Sequence, residues 1–166
     1  MGVIAQCIFI INERGDYVLG GLFKEETAKK YSIVCITYGE LNSDSKFLVY
    51  YDKDWECWFF PNYKTIARGN VANLIKVLQN DLGIDAAGSL KYLYRCVHYK
   101  YSEESKEVLP YDHTLYLCKL KESPDVQNNY KWLTISEMLN DERIRKVNAD
   151  VVAMLQMGLN NYKRVN

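Results

Sequence analysis

Two short apolar runs flank a polar turn near the start of the chain, in "QCIFIINERGDYVLGGLF". Val, Ile, Phe and Tyr favour pleated structure and Arg14-Gly15-Asp16 supplies turn chemistry, so the pattern predicts a first β-hairpin. After the charged link "KEETAKK", a second hairpin is predicted from "YSIVCITYGEL", the polar turn "NSDSK" and "FLVYYDKD", followed by the aromatic cluster "WECWFFP". Pro61 lacks a backbone donor and ends strand pairing there.

From Asn70 the period changes. Val71, Leu74, Ile75, Leu78 and Leu82 recur at the spacing of one narrow helical stripe, with Asn70 as N-cap and Gly83 as stop signal. Two long strands, "LKYLYRCVHYKYS" and "VLPYDHTLYLCKLK", are joined by the charged tip "EESKE" and predict a third hairpin. "YKWLTISEML" reads as a strand end running into a short helix. "RIRKVNADVVAMLQMGLNNY" reads as a final helix with Ile144, Val147, Val151, Leu155 and Leu159 on one side. Strands on both sides of a central helix, with helices packed against the sheet, argue an α+β or mixed three-layer arrangement.

Composition narrows the class. The 166 residues fit one domain with a core of its own, and 48% hydrophobic against 25% charged residues is a globular profile. The formal charge is zero, so no overall field steers an extended nucleic acid or an anionic membrane to the surface. Cys7, Cys35, Cys57, Cys96 and Cys118 are odd in number, lie mostly in apolar runs and form no C-x-x-C pair, which reads as buried thiols of a reducing compartment. "VIAQCIFII" is too short to span a bilayer and lacks the flanks of a secretion signal. The expectation is a cytoplasmic protein with no membrane segment within this chain.

The order strand, turn, strand, "WFFP", loop, helix, strand pair, then "WLTISEML" leading to the last helix resembles the Nudix family from about Tyr31 to Leu159. The resemblance implies a Nudix-like α/β/α sandwich with a mixed central sheet, a single domain over 1–166 in which 31–166 form the core and 1–30 an additional N-terminal hairpin. The family's box is G-x5-E-x7-R-E-U-x-E-E-x-G-U. Anchored on Leu82-Gly83-Ile84, it puts Asn62 at the first glycine, Arg68 at the isolated glutamate and Lys76 to Asp81 over R-E-U-x-E-E. The family's glutamates hold magnesium or manganese, because hard divalent ions need oxygen ligands and the ion must activate water. Here those three positions are Val77, Asn80 and Asp81, one carboxylate in place of three. The brace between arginine and glutamate becomes Arg68 and Lys76, two like charges.

A site without metal ligands still offers a pocket shaped for a nucleotide. Lys64, Arg68 and Lys76 are candidates for direct phosphate contact, with Asn80 and Asp81 beside them. Among fourteen tyrosines and three tryptophans, Trp58, Tyr63 and Tyr99 are candidates to stack on a base. His98 and His113 are expected to face each other if the third hairpin turns near Ser105, as a phosphate contact, a proton-transfer pair or two ligands short of a metal site.

Three functions follow. The first is a catalytically degenerate Nudix-like domain that binds a nucleotide or nucleotide-derived signal as a sensor or regulatory module, with no cofactor and no metal. The second is a magnesium-dependent hydrolase of a nucleoside diphosphate derivative, assembled from Asp81 with Glu103 and Glu104 at the hairpin tip. The third is an interaction module, in which the first hairpin and an exposed Val77 form a homodimer or partner-protein surface.

Overall fold

The computed structural model describes Ile8–Ile11 and Tyr17–Val18, and residues 28–102 and 105–166. Its elements run β1 (Ile8–Ile11), β2 (Tyr17–Val18), β3 (Lys29–Tyr38), β4 (Lys46–Asp52), β5 (Cys57–Phe59), β6 (Asn62–Lys64), α1 (Asn70–Leu82), β7 (Leu90–Ser102), β8 (Glu107–Leu120), β9 (Tyr130–Thr134), α2 (Ile135–Asn140), α3 (Glu142–Val147) and α4 (Ala149–Val165). A six-stranded mixed sheet has the order β2-β1-β7-β8-β3-β6, and a three-stranded sheet the order β5-β4-β9.

The apolar run Ile33-Val34-Cys35-Ile36 lacks the alternation of a one-faced strand because β3 is buried on both sides. Ile33 and Cys35 join a core with α4, whereas Val34 and Ile36 join a second core with Leu74 and Leu78 of α1. The fold is therefore an α+β sandwich with α4 and α1 on opposite faces of the main sheet. The first predicted hairpin is present as the antiparallel pair β1–β2, and β1 adds it to the sheet edge by parallel pairing with β7. Its turn and flanks, with Cys7, lie outside the described residues.

The second predicted hairpin does not form. Strand β3 pairs with β8 in parallel and with β6, while β4 pairs with β5 and β9 in the other sheet. The physical reason is the two-sided burial of β3, which needs a neighbour on each edge and a helix on each face. Gly39, at φ +71°, keeps the chain bonded to Leu120 and then releases it into a turn closed by Asn42 and Ser45. The third hairpin forms as expected from β7 and β8.

Helix α1 ends at Gly83 in the left-handed conformation, as its sequence predicts. Its start differs: Gly69 is the cap, and Asn70 lies inside the helix. The Asn70 side chain instead accepts from the Ile66 N–H and donates to Ser32 Oγ, tying the loop to β3. In the apolar stripe Leu74 and Leu78 are buried while Val71 is exposed. The final helix is also broken, at Asn148 (φ −132°, ψ 14°), into α3 and α4. Its stripe still packs as expected, with Ile144, Val151, Leu155 and Leu159 buried. Thr134 and Glu137 form a reciprocal capping box where β9 passes into α2. No helix among the described residues is long and apolar enough to cross a membrane.

Candidate functional site

The box-equivalent face of α1 borders a cavity of about 130 Å³ lined by Tyr50, Pro61, Asn62, Tyr63, Asp81 and Tyr130. Tyr50 and Tyr130 are cross-strand partners on β4 and β9, Asn62 and Tyr63 come from β6, and Asp81 from the last turn of α1. Asn62 Nδ2 donates to the Tyr50 hydroxyl and to the Phe60 carbonyl, both at 3.0 Å. Burial raises the Tyr63 and Tyr130 phenols above their ordinary range, and the Asp81 carboxylate raises both further. Burial also raises Tyr50, against the opposing hydrogen bond from Asn62. Asp81 thus lies close enough to Tyr63 and Tyr130 for its charge to be felt at both phenols.

The fit of a hard divalent ion to this face can be judged from its donors. Magnesium requires an octahedron of oxygens, supplied by carboxylates, water and substrate phosphate. Asp81 and Asn80 face solvent, but Val77 is half-buried and packs against the core around Leu74 and Leu78. One carboxylate, one amide and an isopropyl group turned inward do not fit that ion. The inward packing of Val77 also corrects its expected exposure.

The other predicted residues are dispersed. Lys64, Arg68 and Lys76 are exposed and none lines the cavity. Trp58 pairs with Tyr51 on the opposite side of its strand pair from Tyr50 and Phe59, and its ring is covered by Lys131 Nζ, 4.1 Å from the centroid. Tyr99 is half-buried on β7, one residue from His98 and so on the other face. Glu103 and Glu104 lie outside the described residues. Sequence reasoning missed Tyr50 and Tyr130, whose partnership depends on the β4–β9 pairing, which no local pattern announces.

Another polar cluster lies in the core under α4. His98 sits opposite Tyr111 and His113 opposite Cys96, so the two histidines are diagonal rather than opposite, but they share a face and meet with Nε2 and Nδ1 2.7 Å apart. The third member is Asp150 at the start of α4, with Oδ2 2.9 Å from His98 Nδ1 and 2.8 Å from Lys100 Nζ. That one carboxylate oxygen is thus held between His98 and Lys100. Burial alone would raise the Asp150 carboxyl, but Lys100 and His98 together hold it well below the usual carboxylate range. His113 lies well below its ordinary value, because burial and then the charges of His98 and Lys100 disfavour its protonated form.

His98, His113 and Asp150 are of metal-ligating type, and one donor atom from each lies within 4.8 Å of the others. Their arrangement is serial rather than convergent, since His98 turns one nitrogen to Asp150 and the other to His113. Lys100 already balances the carboxylate, and a divalent ion would add two uncompensated charges to a dry site. The cluster reads as a charge-closed polar core. The four described cysteines are buried, and burial pushes the Cys57 and Cys118 thiols up to about 11, so neither is an activated nucleophile. A wider hollow of about 410 Å³ beyond α1 is flanked by Asp85, Lys121, Glu122 and Asp125 and open to solvent.

With this geometry in place, the chain is similar in structure to Nudix proteins. A binary complex of the C. elegans Ap4A hydrolase superposes with a TM-score of 0.59 at 15% identity, covering 84% of this chain and 100% of that one. The NUDIX domain of Shewanella oneidensis NrtR, complexed with ADP ribose, matches with a TM-score of 0.55 at 8% identity, over 87% of this chain and 94% of that one. The E. coli dihydroneopterin triphosphate pyrophosphohydrolase matches at 0.55 with 14% identity, over 81% and 99%. No family model matches the chain, and no curated protein matches its sequence. The chain has the Nudix fold.

Proposed function

We propose that the chain is a nucleotide-recognition domain on a Nudix frame, which binds a nucleotide or nucleotide-derived signal without the metal-dependent hydrolysis of that fold. The observation that carries the reading is the exchange at the box-equivalent face: a lone carboxylate, Asp81, converges with three phenols on a small polar cavity, while Val77 turns into the core. A cavity of about 130 Å³ is well below the roughly 300–1,000 Å³ that encloses a whole drug-sized ligand. It holds one end of a ligand, the rest lying along the exposed surface. Nucleotide-derived ligands and substrates on this fold, such as ADP ribose with NrtR, support the ligand class by analogy of fold.

Isothermal titration with linear and cyclic nucleotides, with and without magnesium, tests the reading alongside phosphate release at high protein concentration. The expected result is saturable binding of a nucleotide that is indifferent to magnesium, with no turnover. Magnesium-dependent release of phosphate or mononucleotide, abolished by Asp81→Ala, would show a hydrolase instead.

A further inference from the structure

We propose that the Tyr50–Tyr63–Tyr130 cavity takes the 2-amino-4-oxopyrimidine edge common to guanine and pterins, with Asp81 accepting from the two adjacent N–H groups of that edge. This rests on the nucleotide-recognition reading and specifies which end of the ligand the cavity holds.

The donor and acceptor inventory of the lining leads to it. Both amide hydrogens of Asn62 are engaged, by the Tyr50 hydroxyl and the Phe60 carbonyl, which leaves Asn62 Oδ1 as an acceptor. The Tyr50 hydroxyl accepts from Asn62 and keeps its own proton to donate. The hydroxyls of Tyr63 and Tyr130 donate or accept. Asp81 is the one charged group in the lining, and no lysine, arginine or histidine accompanies it among the described residues. A phosphate placed there would meet an uncompensated carboxylate and gain no cation, so the cavity rejects the end of a nucleotide that a metal-loaded site would grip.

A carboxylate instead selects two parallel N–H donors, pairing one oxygen with each. Guanine and pterins carry such a pair, a ring N–H beside an exocyclic amine, with a carbonyl oxygen next in line for a phenol to donate to. Adenine sets a ring-nitrogen acceptor beside its amine and repels one oxygen. Xanthine replaces the amine with a carbonyl and repels the other. The volume suits one ring system, which leaves sugar and phosphates outside.

Calorimetric titration without divalent ions, using GMP, IMP, XMP, AMP, a pterin and agmatine, tests the assignment. GMP or the pterin should bind at least about tenfold more tightly than AMP or XMP, since a site built to hydrogen-bond rejects analogues that leave its polar groups unpaired. IMP, without the amine, should fall between. The ratio of GMP to pterin affinity identifies the source of the edge. Asp81→Asn, checked for folding by circular dichroism, should lose GMP or pterin binding at least about tenfold and gain XMP, because its amide donates where the carboxylate accepts. Equal affinity for GMP and AMP, an unchanged ratio in Asp81→Asn, or binding of agmatine alone overturns the edge assignment. Base-blind binding leaves nucleotide recognition standing, whereas failure of every nucleotide and of the pterin removes both.

Discussion

The protein carries two polar clusters on opposite faces of one sheet, and they are built by opposite rules. Under α4, Asp150, Lys100, His98 and His113 turn their charges and donors on one another. Beside α1, Asp81 and the phenols of Tyr63 and Tyr130 turn theirs on an open cavity, with the bond from Asn62 to Tyr50 fixing the wall. The α4 cluster is rich in residue types associated with catalysis, yet its closure marks it as structural. The α1 cluster is ordinary in composition, but its polar groups face a cavity rather than one another. The difference lies in what each group faces, and residue type alone does not disclose it.

The largest test of the contrast is Asp150→Ala. It leaves Lys100 and His98 beside a vacancy under α4, and breaking a buried pair from one side costs about 3–5 kcal/mol. Urea denaturation should show a loss of that order, and a loss below about 1 kcal/mol would refute the closed-cluster reading.

Acid gives the next effect. His113 is held neutral in the fold and takes a proton in the unfolded chain below its ordinary value of 6.5. Its contribution is therefore complete above that pH and is lost as pH falls below it. Asp150 has a depressed value, so its contribution is complete above its ordinary 3.8 and lost as pH falls further. Melting temperature should thus be flat near neutrality and decline in two stages on acidification. His113→Phe should remove the upper stage, and a decline that persists near pH 6 in that variant would locate the sensitivity elsewhere.

The smallest effect on stability belongs to the open cavity. Asp81→Asn removes a charge and Tyr63→Phe a hydroxyl, neither hydrogen-bonded to a partner among the described residues, so unfolding free energies should move by no more than about 0.5 kcal/mol. Ligand affinity should fall nonetheless. A loss of several kcal/mol in either variant would mean that the cavity groups are structural after all, and the contrast between the two faces would collapse.

The helix α1 was readable from its stripe, because a 3.6-residue period and a glycine stop are local properties. The same holds for the long β7–β8 hairpin and for the run from β9 into α2. Strand β3 was readable as a strand but not in its pairing: an unbroken apolar run says that both faces are covered, without naming β6 and β8 as its neighbours. Asn70 misled for a related reason, since an asparagine before a helix suits a cap until a glycine ahead of it takes the role and frees its amide for Ser32. Of the cavity's lining, the sequence singled out Asp81 from the helix spacing and Tyr63 as an aromatic candidate, whereas Tyr50 and Tyr130 arrive through a pairing between distant strands.

By itself, the sequence determined the period of each element, the order of parts that resembles the Nudix family and the placing of Val77, Asn80 and a single carboxylate, Asp81, along one helix. Tertiary structure alone decided that Asp150 closes the histidine pair, that Lys64, Arg68 and Lys76 stay out of the cavity and that phenols from two sheets gather round Asp81. Periodicity is written in neighbours along the chain, but whether a charge finds a partner depends on which strands lie side by side, and that is fixed only when the whole core packs.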